Sequence, residues 1–250
     1  MTTSPIQPGD QIAVLDHGFV RLIDHMGSDR RIVEAARVSY RSPSKGDEGD
    51  KKLLSYLLRH KHTSPFEMGK VTFNIKMPIF VMRQYIRHRM QNVNEVSARY
   101  TELPEEFYIP ESWRKQDPKN KQGSIETGNW NPDLRGGLCE AHVHGLWYNG
   151  TATGLLEEVN TVCYQAYQKL LEAGVAKEMA RFVLPVNIYT EIYSTWDLNN
   201  LLKFFALRDD PHAQWEHQQF ALAMKQITAQ LFPWTMELYE QIRSEKAAKT

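Results

Sequence analysis

Apolar and polar positions alternate between Lys70 and Met77. In KVTFNIKM, Val71, Phe73, Ile75 and Met77 share one side of a two-residue period, which predicts a strand with one buried face. VNIYTEIYSTW has the β-branched and aromatic make-up of a second strand, and QIAVLDHGFVRLIDHMG reads as extended structure with turns. Elsewhere the period lengthens. RIVEAARVSY can bring Ile32, Val33, Ala36 and Val38 onto one helical face. DEGDKKLLSYLLRHKH leads with acids and ends with bases, as a helix macrodipole favours. Pro78 suits the first turn of a helix over PIFVMRQYIRHRM. Further helical patterns cover GLLEEVNTVCYQAYQKLLEAG, AKEMARFVLP with Pro185 as its stop, DLNNLLKFFALR with Asp197 as N-cap, HAQWEHQQFALAMKQITAQLF, and the segment after Pro233.

Helices and strands mix without βαβ alternation, so the expected class is α+β. The 250 residues are expected to form a single domain, 1–250, interrupted by an irregular insertion over 111–150 that is rich in Pro, Gly, Asn and charge. Thirty basic and thirty acidic residues cancel, which argues against a general nucleic-acid or membrane-surface binder. No apolar run has the length of a membrane span, and MTTSPIQPGD lacks a signal pattern. Cys139 and Cys163 sit in no metal or redox spacing. A cytoplasmic protein without a metal is the expectation. The HVH at 142–144 lacks an evident third ligand. His212, Glu216 and His217 read as helical packing or hydrogen-bonding residues, and Trp147 and Tyr148 as core or interface residues.

One segment departs from the even charge distribution. RQYIRHRMQNVNEVSARY holds Arg83, Arg87, His88, Arg89 and Arg99 against Glu95 alone. Two readings stand: a solvated basic face at a helix C-terminus, or a grip on anions by guanidinium forks that match phosphate bidentately. Asn94, Glu95, Ser97 and Arg99 follow in an expected loop. They either read a polar ligand or satisfy their own turn. Ser97 lacks the G-x-S-x-G setting of a hydrolase nucleophile.

The Arg87-His88-Arg89 triple, seven further residues and then Ser97 resemble the signature of the flavin-dependent thymidylate synthase (ThyX) family. HTSPFEMGKVTFNIKMPIFVMRQYIRHR, EMARFVLPVNIYTEIYSTW and LLKFFALRDDPHAQWEHQ resemble further blocks of that family, so the likeness covers most of the chain outside 111–150. The resemblance implies an α+β fold with a central, largely antiparallel sheet. It implies reductive methylation of dUMP to dTMP with bound FAD, with NADPH and 5,10-methylenetetrahydrofolate as co-substrates. It implies that Ser64, Arg87, His88, Arg89, Glu95, Asp197, Asn199 and Lys203 contact FAD, with His62 on the folate side of the flavin. For dUMP it implies Gln84, Arg87, Arg99, Arg181 and Arg208, with Glu95, Val96, Ser97 and Ala98 wrapping the phosphate by backbone and side chain. Arg208 is the catalytic candidate, polarising the uracil ring in place of a cysteine nucleophile. A homotetramer with sites shared between subunits is implied too.

Lys203 stands where relatives commonly have Asn or His. Either it snorkels to solvent, or its ammonium lies near the flavin edge. Two other functions compete: a nucleotide- or RNA-binding module, and a flavin-dependent NAD(P)H oxidoreductase without methyl transfer. The missing RNA-binding aromatic motif weighs against the first.

Overall fold

The computed structural model describes residues 5–121, 123–134 and 150–248. Five strands form the main sheet: β1 (Gln11–Val14), β2 (Gly18–Met26), β3 (Lys70–Pro78), β4 (Asn92–Glu95) and β7 (Tyr189–Asp197). Their order is β1-β2-β3-β7-β4, with every pairing antiparallel. A separate two-stranded ribbon, β5 (Lys115–Gln116) with β6 (Ser124–Ile125), stands in the insertion. The helices are α1 (Asp29–Arg37), α2 (Gly46–Arg59), α3 (Ile79–Tyr85), α4 (Ala152–Glu172), α5 (Lys177–Ala180), α6 (Leu198–Arg208), α7 (Trp215–Leu231) and α8 (Pro233–Ala247). The α+β class and the antiparallel sheet agree with expectation. None of the described helices is long and apolar enough to cross a membrane.

The period-two reading of β3 holds: Val71, Phe73, Ile75 and Met77 are fully buried. They join Leu22, Trp196, Phe204, Phe205 and Phe220 in one core between the sheet and the helices. Asn74, on the other phase, is also buried. It takes a bond from Arg21 and donates to Glu191 and to the Ile192 carbonyl. The second face is therefore polar and partly covered, which alternation alone did not predict.

Several boundaries differ from expectation. Pro78 closes β3 in an extended conformation and caps α3 from outside. The α3 helix stops at Tyr85, before the basic triple. The residues after Tyr85 tighten to shorter turns, and Gln91 Nε2 donates to the Tyr85 and His88 carbonyls, capping the C-terminal end. Residues 92–95 form an edge strand on β7 where a loop was expected. The AKEMARFVLP helix is one short turn, α5, followed by a 3-10 turn at Arg181–Val183. Val38 leaves the helical face that buries Ile32 and Val33 and is largely exposed. Asp197 does cap α6, accepting from Asn200 N at 2.8 Å. Cys139, the HVH at 142–144, Trp147 and Tyr148 lie outside the described residues.

The far end of α6 is fixed by charge. Asp209, just past the helix, is buried and meets Lys225 of α7 at 2.6 Å and Arg243 of α8 at 2.7 Å. Burial pushes its pKa up, but hydrogen bonds from Arg243 and Lys225 outweigh that and hold it below the ordinary 3.8. This stabilisation is complete above 3.8 and is lost as pH falls through the lowered value. Asp209→Asn should cost about 3 kcal/mol at neutral pH, because it removes the more deeply buried of the two carboxylates that Lys225 and Arg243 share and leaves them only Glu240. The deficit should shrink in acid below 3.8. Denaturant unfolding at both conditions measures this, and an equal deficit at both would refute it.

Candidate functional site

Residue 194 organises the segment that carries the basic triple. Ser194 Oγ on β7 meets Tyr85 OH at 2.8 Å and donates to Gln91 Oε1 at 2.7 Å, while Trp196 Nε1 approaches Ser194 Oγ at 2.7 Å and Tyr85 OH at 2.9 Å. Gln91 then holds the turn from beneath through the His88 carbonyl at 2.8 Å. A buried polar network satisfied this fully rigidifies its surroundings. It presents Arg87 and Arg89 outward and turns His88 inward. Among the described residues, Arg83, Arg87 and Arg89 have no acidic partner, whereas Arg59, Arg99 and Arg243 do.

His88 meets Arg208. Arg208 Nε donates to His88 Nε2 at 2.9 Å, and the imidazole packs edge-on to Phe204 at 4.9 Å. Burial, and secondarily the Arg208 charge, pushes the His88 pKa down to about 4. The ring is thus neutral at pH 7, with its Nε2 lone pair free to accept. Burial also lowers the pKa of Arg208. Among the described residues no carboxylate pairs with Arg208; its neighbour Asp209 is taken by Lys225 and Arg243. A half-buried guanidinium supported only by a neutral imidazole has an unmet demand for negative charge. Gln84 joins this group through His217, whose Nδ1 lies 3.4 Å from Gln84 Oε1. His217 is fully buried on α7, and burial takes its pKa down to about 3.

The other expected residues form two further groups at opposite ends of β7, about 26 Å apart for an extended strand of its length. At the Asp197 end, paired with Lys70, Ser64 lies exposed in the 3-10 turn Ser64–Met68. Buried Asn199 donates to Glu67 at 3.4 Å. Both Asp197 oxygens already serve Asn200. Lys203 is exposed on α6, and His62 packs edge-on to Tyr56 and lies beside His60.

At the Tyr189 end, Glu95 accepts from Thr190 Oγ1 at 2.7 Å, and Arg99 pairs with Glu178 at 2.9 Å. Arg181 donates to the Glu178 carbonyl at 3.3 Å, which places it beside Arg99. Within segment 95–99 the backbone donors divide into engaged and unengaged groups. Val96 N bonds the Glu191 carbonyl and Arg99 N bonds Ser97 Oγ, while among the described residues the N–H groups of Ser97 and Ala98 have no partner.

One chain therefore gathers Gln84, His88 and Arg208, and separately Ser97, Ala98, Arg99 and Arg181. It does not bring Ser64, Asn199 or His62 to either. A cavity of about 590 Å³ lies elsewhere, between β1, the Tyr108–Arg114 stretch and α7. Gln91, Ser194 and Gln214 were missed in the sequence. Their partners lie far along the chain, and no local pattern marks them. His217, read as a helical packing or hydrogen-bonding residue, does both. His212, expected on a helix, sits in the turn before α7, where its N–H bonds Asp210 Oδ1 at 2.8 Å.

The imidazole offers a direct check. In an NMR titration His88 should stay neutral down to about pH 4. Arg208→Met should raise that value without restoring 6.5, because burial is the larger cause. A His88 that titrates at 6.5 in the unaltered protein would refute the contact.

Comparison with known proteins places this geometry. The family profile described as thymidylate synthase complementing protein matches residues 21–234. The flavin-dependent thymidylate synthase of Thermus thermophilus is 48% identical over 230 residues, covering 92% of this chain and 78% of the relative. That of Kosmotoga olearia is 46% identical over 229 residues, covering 92% and 93%. Among solved structures, a UMP/dUMP methylase from Streptomyces cacaoi bound with 5-Br UMP superposes with a TM-score of 0.74 at 31% identity, covering 92% of this chain and 96% of the other. The chain belongs to the flavin-dependent thymidylate synthase family.

Proposed function

We propose that the protein methylates dUMP to dTMP reductively, as a single catalytic unit over 1–250 that uses FAD, NADPH and 5,10-methylenetetrahydrofolate. The observation that carries this reading is Arg208: half-buried, without a carboxylate partner among the described residues, and backed by the neutral Nε2 of His88. A preorganised cation of this kind favours negative charge developing on a pyrimidine ring, and such electrostatic terms are usually the largest in catalysis. Arg208 is the catalytic candidate, and His88 fixes the direction of its fork.

The donor set fits a flavin nucleotide. Arg87 and Arg89 are exposed cations suited to its phosphates, and Ser64, Asn199 and Lys203 add a hydroxyl, an amide and an ammonium along the side of α6 and the 3-10 turn. His88, Glu95, Asp197 and His62 complete the proposed cofactor set. When bound, the flavin supplies the reducing chemistry of the reaction.

For the nucleotide, the free N–H groups of Ser97 and Ala98, with Arg99 and Arg181 beside them, make an anion-binding turn for the dUMP phosphate. Gln84 reads the base, and Arg87 bridges nucleotide and cofactor. Ser97 binds without attacking. Cys163, on α4, is not part of the Arg208 group. The split of the candidate residues between two ends of β7 supports a homotetramer in which one copy completes the site of another. Tyr100, Met179 and Phe182 are exposed apolar residues next to Arg99 and Arg181, as such a contact requires.

Arg208→Ala should lower dTMP formation by about 10²–10³ with flavin still bound, and Arg208→Lys should recover little, since an ammonium cannot reproduce the fork. Near-normal turnover in Arg208→Ala would overturn the assignment. Ser97→Ala should keep measurable activity, and mass spectrometry of the enzyme during turnover should find no uracil–Ser97 bond. A trapped adduct would make Ser97 the nucleophile. NADPH oxidation that ignores dUMP would favour a flavin reductase instead.

A further inference from the structure

The insertion reaches the candidate base-reading residue through a chain of hydrogen bonds. Arg114, in the residues leading into the ribbon, pairs with Glu216 in the first turn of α7, and stacks over Trp215 at 5.4 Å. Its Nε donates to Ser124 Oγ on β6 at 3.0 Å, so the same guanidinium holds the ribbon. Glu216 is nearly inaccessible to solvent. Its Oε1 also takes the Tyr108 hydroxyl at 3.3 Å, and its Oε2 accepts from Gln214 Nε2 at 3.1 Å. Gln214 Oε1 accepts from Gln84 Nε2, and Gln84 Oε1 faces His217 Nδ1.

Every link has a defined direction. A carboxylate bonded to arginine only accepts, so Gln214 must turn its NH2 toward Glu216. Its oxygen then faces Gln84, which must turn its own NH2 toward Gln214. The Gln84 oxygen consequently points to His217, and neutral His217 carries its proton on Nδ1. No alternative amide orientation satisfies all the links. An uncharged amide at position 216 could present either end, and the polarity of the whole chain would be undetermined.

We infer that Glu216, held by Arg114 of the insertion, is a positioning residue that sets the orientation of the Gln84 carboxamide and so the hydrogen-bond pattern offered to the pyrimidine. Arg114 of the insertion thereby acts on nucleotide recognition through Glu216, Gln214 and Gln84. This rests on the proposed role of Gln84 toward dUMP.

A double-variant cycle on the flavin-loaded protein tests it, with dUMP affinity measured by calorimetry and retained flavin by visible absorbance. Gln84→Met and Glu216→Gln should each weaken dUMP binding by about tenfold, the scale of one well-made hydrogen bond. The double variant should be no weaker than either single one, since both remove the same interaction. Arg114→Lys should keep most of the affinity by retaining the charge. Gln214→Met breaks the middle link while keeping the Arg114–Glu216 ion pair and carries the same expectation if Glu216→Gln fails to fold. Additive losses in the cycle, or full dUMP affinity in both Glu216→Gln and Gln214→Met while Gln84→Met is impaired, would overturn the relay alone. Unchanged affinity in Gln84→Met would overturn the role of Gln84 and the inference with it.

Discussion

The pairing of β3 with β7 is the constraint on which everything else rests. Nine consecutive residue pairs, from Lys70–Asp197 to Pro78–Tyr189, fix one register. A slip by one residue would carry Trp196, Ser194 and Ile192 from the core to the polar face. With Ser194 displaced, Tyr85 and Gln91 would lose their anchor, and the turn bearing Arg87, His88 and Arg89 would have nothing beneath it. The same strand sets the start of α6, because Asp197 ends β7 and caps the helix. Eleven residues later that helix delivers Arg208 to His88. Geometry at the site is thus inherited from a backbone ladder, with the Asp209 ion pairs holding the helix's far end.

Sequence and structure agree where a signal is local. Alternation through Val71–Met77, the Asp197 cap and the acid-to-base gradient of α2 each depend on neighbours within a turn or a strand. The family resemblance located Gln84, His88 and Arg208, and the fold brings these three together. It also named Ser64 and Asn199, which one chain keeps apart from them. What escaped reading depends on distant partners. Helix α3 stops at Tyr85 because Gln91 takes its terminal carbonyls and Ser194 takes the tyrosine hydroxyl. The basic triple therefore sits in a turn, although propensity would have extended the helix through it. Residues 92–95 became a strand because β7 offered an unpaired edge. His217 was legible as a packing or hydrogen-bonding residue, but its neighbours Gln84 and Tyr85 were not.

The electrostatics of the site follow from what is withheld as much as from what is supplied. Asp209 is adjacent to Arg208 in sequence and would be its natural counter-ion. The fold spends it on Lys225 and Arg243 instead. His88 is kept neutral, so it orients the guanidinium without cancelling its charge. The Arg208 charge therefore stands uncompensated before any ligand arrives, and no reorganisation is needed when negative charge appears beside it.

The two ends of β7 carry a genetic consequence. Under the shared-site arrangement proposed above, the residues around Ser97 on one copy work with those around Asn199 on another. A chain crippled at the first end and a chain crippled at the second are then each inactive alone. Co-assembled, they place an intact Ser97 end against an intact Asn199 end at some of their junctions. Two defective alleles expressed in one cell would complement each other within the mixed oligomer, and dilution below its assembly threshold would abolish the rescue.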